Sequence, residues 1–203
     1  MKNATSKYFG YQMPVFIWRA RPRIIWNWIV AGLGLLVTGC CSTHTPLSLQ
    51  PPAGQKLMLH VYAKGVQIYR CEHSPGDPEK LVWKLKGPEA MLFDESGSVV
   101  GSHYAEQSLP VWELDKDTSK VVGEVSCRAD APSGHAIPWL LLRAKTTTGL
   151  GLFGNVTYIQ RVNTIGGLPP DLSTGQMGQE VRSHYTAEYI FYCSKGGHLL
   201  CRR

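Results

Sequence analysis

Between residues 57 and 192, apolar and polar positions alternate with the period of two that is typical of β-strands. Leu57, Leu59 and Val61 alternate with Met58 and His60, and similar short runs occur at residues 66–69, 81–85, 156–161 and 185–192. Gly, Pro, Asp or Ser residues separate the runs, and no stretch of ten or more residues has a helical period. The pattern predicts an all-β fold, a single antiparallel β-sandwich or a barrel-like domain.

One short run, Trp139–Leu142, is apolar at every position and does not alternate. Such a run is typical of a strand that is buried on both faces. The alternative is that Trp139 lines a ligand pocket, for which Tyr104 is a second candidate. The doubly buried strand is favoured, because short continuous apolar runs usually belong to the core.

The first 39 residues have the composition of a secretory signal. Their charges are all positive, and the apolar run from Ile24 to Val37 is shorter than the roughly 20 residues that a membrane span needs. The sequence Val37-Thr38-Gly39-Cys40 resembles the lipobox of bacterial lipoproteins, in which the cysteine receives diacylglycerol and then palmitate. We therefore predict a signal peptide over 1–39, a lipidated tether over 40–56 that begins at Cys40, and a β domain over 57–203. An uncleaved anchor helix is the alternative for the first segment, and translation could also start at Met13.

A lipid on Cys40 would place the domain in the bacterial cell envelope, with the membrane as its first partner. Residue 41 is Cys and not Asp, so the inner-membrane retention signal of enteric bacteria is absent. We expect an outer-membrane protein that faces the periplasm. A further partner would be another envelope protein or a small-molecule ligand.

The net charge of +6 belongs to the predicted signal peptide and not to the domain. Residues 1–39 hold five basic residues and no acidic one, which leaves 16 basic and 15 acidic residues in the remainder. No basic stripe remains that would favour nucleic acid as a partner.

The histidines and carboxylates form no recognisable catalytic or metal-binding motif. Candidate residues for an acid–base pair or a metal site are His103, Glu89, Asp94 and His184, but no two histidines have ligand spacing. The segment Asp115–Ser119 begins like a calcium loop and then departs from it, which favours a hairpin turn. We therefore expect no metal and no cofactor.

Four cysteines of the β domain are candidates for disulfide bonds, since the periplasm is oxidising. They are Cys71, Cys127, Cys193 and Cys201. Three connectivities are open, and Cys71–Cys127 and Cys193–Cys201 are plausible pairs. No Cys-x-x-Cys spacing suggests a metal knuckle.

Several phrases in this order resemble the DUF3455 family, secreted bacterial and fungal proteins of unknown function. They are residues 65–71, 88–90, 101–104, 137–142, 159–167 and 185–189. Family members often carry a Gly-Cys pair where this chain has Asp171-Leu172-Ser173-Thr174, so a disulfide that uses that cysteine cannot form here. The resemblance implies no activity. We expect a non-catalytic binding or structural domain, with a metal-dependent or acid–base enzyme that uses His103 as the alternative.

Overall fold

The computed structural model describes residues 45–172 and 175–196, and these form a closed ring of eight β-strands. The strands are β1 (Gln55–Ser74), β2 (Asp77–Phe93), β3 (Val99–Glu106), β4 (Leu109–Leu114), β5 (Lys120–Ala129), β6 (Trp139–Thr148), β7 (Tyr158–Gly166) and β8 (Glu180–Ser194). Two short 3₁₀ turns are found at Leu47–Leu49 and Leu152–Asn155. The predicted all-β class is confirmed, and the barrel is the form that it takes.

Each strand pairs antiparallel with the next along the chain, and β1 closes the ring against β8. The long strand β1 makes the most extensive pairings, with β2 on one side and β8 on the other. At Gly65 the backbones of β1 and β2 approach so closely that a Cβ atom would lie 2.1 Å from the Glu89 carbonyl oxygen. A side chain at this position would therefore force the two strands apart.

Towards the end that the β6–β7 turn covers, alternate strand residues fill the barrel interior with apolar side chains. This interior core includes Val61, Leu92, Trp112, Ile159 and Phe191, which are at most 1% exposed. Eight-stranded barrels have an interior that side chains can just fill, or that can hold one small ligand. In this barrel, apolar side chains fill one part of the interior and a cavity occupies another.

One end of the barrel is closed by the turn between β6 and β7. Phe153 of this turn is fully buried and packs on Phe191, with ring centroids 4.5 Å apart. The Asp117 carboxylate accepts a hydrogen bond from the Leu152 N–H at 2.8 Å, and the Ser119 hydroxyl oxygen accepts one from the Phe153 N–H at 3.0 Å. Asp117 and Ser119 belong to the turn between β4 and β5, as the hairpin interpretation of residues 115–119 predicted.

A second apolar cluster covers the outer face of β5, β6 and β7. It contains Leu49, Ala131, Trp139, Leu141 and Val162. Because Leu140 and Leu142 of the same strand belong to the interior core, β6 is buried on both faces, as its continuous apolar run predicted. The turn at Leu47–Leu49 packs here as well, so part of the segment predicted as a tether lies against the barrel.

The predicted signal peptide and Cys40 lie outside the described residues. No helix within the described ranges is long and apolar enough to cross a membrane.

Candidate functional site

Towards the open end of the barrel, opposite the β6–β7 turn, the interior holds a cavity of about 470 Å³. Side chains from all eight strands line it, together with residues of the loops that connect β3 to β4, β5 to β6 and β7 to β8. Ligand pockets of proteins have this size and are mostly apolar with a few polar groups. The cavity is therefore the candidate functional site.

Four deeply buried side chains form what we call the cavity floor: Gln67, His103, Trp112 and Tyr189, each at most 2% exposed. The His103 imidazole stacks on the Trp112 indole with centroids 4.4 Å apart and planes 9° from parallel. Tyr189 meets the His103 ring edge-on at 5.0 Å. These ring contacts make the floor rigid and give it a flat aromatic surface.

His103 is held as a neutral base. Its Nδ1 donates to the Val111 carbonyl oxygen at 2.8 Å, which leaves Nε2 as the acceptor. Burial lowers the pKa of His103 to about 3, despite the Val111 hydrogen bond that favours the protonated form. The positive charge of Arg161 lowers this pKa further. His103 therefore supplies no positive charge to the cavity at neutral pH.

Buried polar groups also border the cavity. The Tyr189 hydroxyl interacts with Tyr185 and Arg161, and the Gln67 side chain interacts with Tyr185. Trp112 Nε1 makes no hydrogen bond to any described residue. Buried polar groups in proteins are rarely left without a partner, so this indole N–H in the cavity lining needs an explanation.

Arg161 is the cation whose charge acts on the floor residues His103 and Tyr189. It lies opposite Tyr189 in the β7–β8 pairing and lines the cavity, half-buried. Its Nε and Nη2 donate to the Pro138 carbonyl oxygen at 3.1 and 2.9 Å, which fixes the guanidinium in place. Burial raises the pKa of Tyr189, and the Arg161 charge opposes that rise. Arg161 has no ion pair with a carboxylate of the described residues.

The opening of the cavity is apolar, in contrast to its floor. Leu85, Val125 and Leu168 line the cavity and are 49%, 51% and 41% exposed; we call these three residues the rim. Arg128 and Lys86 also line the cavity, Lys86 being paired with Glu72, and no Asp or Glu lines it. A bound molecule would meet polar groups at the floor and a largely apolar rim near the opening.

The structure does not assemble the predicted acid–base or metal constellation. Glu89 lies on the outer face of β2 and pairs with Arg182, its Oε2 2.6 Å from the Arg182 Nη2. Asp94 lies in the β2–β3 turn, where it accepts hydrogen bonds from the N–H groups of Ser96 and Ser98. His184 is exposed on β8, so only His103 faces the interior. Strand alternation directs Glu89 and His184 away from His103, and Asp94 lies in a turn. No group of three metal-ligating side chains occurs among residues 45–172 and 175–196.

The two predicted pocket residues, Tyr104 and Trp139, lie outside the cavity. Tyr104 follows His103 on β3, so it points outward, where its hydroxyl donates to Glu113 at 2.8 Å and accepts from Lys120 at 3.0 Å. Trp139 belongs to the outer apolar cluster.

The suggested Cys71–Cys127 disulfide is not formed, and both thiols are free. Cys71 lies on β1, which neighbours β2 and β8, whereas Cys127 lies on β5, half the ring away. Cys127 also belongs to the outer cluster, so the two side chains lie on different faces of the sheet. Cys201 is outside the described residues, and the Cys193–Cys201 pair stays a prediction.

Sequence reasoning missed Gln67, Trp112, Arg161 and Tyr189 as site residues. Gln67 and Arg161 are polar residues at alternate strand positions, which normally face solvent. The sequence carried one signal. In Val66-Gln67-Ile68-Tyr69, Val66 and Ile68 lie on one face of the strand, and Gln67 and Tyr69 lie on the other. Both faces therefore carry apolar or aromatic residues, and either face could be the interior.

One comparison with known proteins identifies a relationship. The family model described as "Protein of unknown function (DUF3455)" matches residues 52–193, which include the whole cavity lining. No curated protein and no solved structure matches the chain significantly. The match covers well over half of the chain and agrees with the resemblance in the sequence phrases, so this protein belongs to the DUF3455 family.

Proposed function

We propose that this protein is a lipid-anchored envelope protein whose barrel binds a small organic ligand in its interior without catalysis. The lipobox-like sequence that ends at Cys40 supports the anchor. The cavity inside the open end of the barrel supports ligand binding. The alternative, an enzyme that uses His103 with nearby carboxylates, has less support, because Glu89, Asp94 and His184 lie apart from His103.

The observation that carries the proposal is the cavity of about 470 Å³, whose lining contains Trp112 Nε1, a buried donor without a partner among the described residues. Leaving one buried donor without a partner costs about 1–3 kcal/mol. A ligand that reaches the floor would recover part of this cost on binding, because it would supply the missing acceptor.

Binding can be tested with N-phenyl-1-naphthylamine, a neutral fluorophore that brightens in apolar surroundings. We expect a saturable rise in fluorescence with one site per barrel. Val125→Trp places a large side chain at the rim and should abolish or strongly weaken the signal, since Val125 is exposed and its replacement leaves the core intact. Val99→Trp is the matched control, because Val99 is 44% exposed and does not line the cavity.

The control variant should bind the fluorophore like the wild type. No saturable binding to the wild-type protein, or equal loss in both variants, would contradict the proposed function.

The anchor needs a separate experiment. Radiolabelled palmitate should label the wild-type protein in bacteria, and Cys40→Ala should lose both the label and the membrane association. An unlabelled wild-type protein would show that the lipobox interpretation is wrong.

A further inference from the structure

The charges and polar groups of the cavity restrict the chemical class of ligand that it can bind. This inference rests on the proposed function and adds the chemistry of the ligand to it. We infer that the cavity takes an amphipathic organic acid, a small apolar body that carries one carboxylate. The carboxylate binds on the floor beside Arg161, and the apolar body extends towards the rim.

The charge of the cavity favours an anion. Arg161 lines it, while no Asp or Glu does. The Arg161 charge also acts on the Tyr69 hydroxyl, whose pKa is raised by burial and lowered again by Arg161 and Arg128. A half-buried guanidinium without a carboxylate partner attracts an anion more strongly than a solvated surface cation does, because the local dielectric constant is low.

The hydrogen-bonding groups of the floor favour an acceptor. Trp112 Nε1 is a donor without a partner among the described residues. The Arg161 guanidinium has five N–H donors in total. The Pro138 carbonyl oxygen accepts from Nε and Nη2, and the Tyr189 hydroxyl also interacts with the guanidinium, which still leaves N–H groups for a ligand. A carboxylate offers about four lone-pair sites and no donor, which complements a surplus of donors.

The apolar rim favours a hydrocarbon group in the part of the ligand that lies near the opening. Leu85, Val125 and Leu168 present apolar surface that a hydrocarbon chain or ring would cover. A cavity of about 470 Å³ holds a small molecule and excludes a folded partner or a polysaccharide chain. Sugars and inorganic anions fit poorly, because neither can cover the apolar rim.

The test compares acids with amides of nearly the same shape. Octanoate and phenylacetate, and then octanamide and phenylacetamide, would be titrated as competitors of N-phenyl-1-naphthylamine. We expect each acid to bind the wild-type protein at least about tenfold more tightly than its amide, since hydrogen bonds to charged groups are stronger by roughly this factor. This comparison requires no variant.

Variants then locate the charge that is responsible. Arg161→Gln should weaken binding of the acids by about the same factor and leave the amides nearly unchanged, and Arg161→Lys should restore part of the preference. Arg70→Gln is the control, because Arg70 is exposed on β1 and does not line the cavity, so this variant should bind the acids like the wild type.

The outcomes separate this inference from the proposed function. If the fluorophore binds and Val125→Trp blocks it, but amides compete as well as acids, the proposed function stands and the organic-acid inference is wrong. If the fluorophore does not bind at all, both fail. If acids are preferred equally in the wild type and in Arg161→Gln, Arg161 is not the carboxylate site.

Discussion

The buried, neutral His103 makes a quantitative prediction about stability and pH. Its pKa is 6.5 in an unfolded chain and about 3 in the barrel, where burial disfavours the imidazolium. Between these two values the unfolded state binds a proton that the folded state does not bind. Stability therefore rises with pH across this range and is independent of His103 above it.

The size of the effect follows from the pKa difference. One pKa unit corresponds to about 1.4 kcal/mol, so a full shift of about 3.5 units amounts to about 5 kcal/mol below pH 3. At about pH 5 only the unfolded His103 is protonated, and the loss is about 2 kcal/mol relative to pH 7.5. This is a large fraction of the roughly 5–15 kcal/mol that stabilises a typical domain.

Urea denaturation of the purified domain at several values between about pH 7.5 and pH 5 measures this slope. The reference is His103→Gln, which cannot titrate and whose amide can still donate to the Val111 carbonyl oxygen. The variant can be less stable at every pH because it loses the stack on Trp112, so only the pH dependence is compared. We expect the wild type to lose about 2 kcal/mol more than the variant on acidification. Parallel pH profiles for the two proteins would refute the neutral, buried state of His103.

Three other predictions concern the stability of the barrel and the exposure of its cysteines. Gly65→Ala should destabilise the barrel by about 3 kcal/mol, because its Cβ would clash with the β2 backbone, whereas Gly76→Ala, with nothing within 4 Å, should change the urea midpoint little. Asp117→Ala should cost about 1–2 kcal/mol in the same assay, since it removes the acceptor that holds the turn at the closed end. Alkylation followed by peptide mapping should label Cys127 at least about tenfold faster than Cys71, because Cys71 is fully buried and Cys127 is partly exposed. Equal rates for the two thiols would contradict the placement of Cys71.

The strands were predictable from the sequence because each one is a local pattern. The alternation of Leu57, Leu59 and Val61, the aromatic run at 185–192 and the apolar run at Trp139–Leu142 all lie in strands of the barrel. The closure of β1 against β8 was not predictable, because it pairs residues more than 100 positions apart and depends on strand twist and number.

The candidate site was predictable only in part. His103 was selected as a polar residue in a strand, and it does line the cavity. Its supposed partners Glu89 and His184 lie on the outer face, because the register of β1, β2 and β8 directs them there. Gln67 could not be assigned to the interior, since its apolar neighbours Val66 and Ile68 suggested the opposite orientation of β1.

The indole N–H resonances of Trp112 and Trp139 test the binding of a ligand at the cavity floor most directly. Both Nε1 atoms are buried and lack a hydrogen-bond partner among the described residues, but Trp112 lines the cavity while Trp139 lies in the outer cluster. In a ¹⁵N–¹H correlation spectrum of the isotopically labelled domain, titration with octanoate should shift the Trp112 indole resonance and leave that of Trp139 in place. A shift at Trp139 without one at Trp112, or no shift at either, would contradict binding inside the barrel.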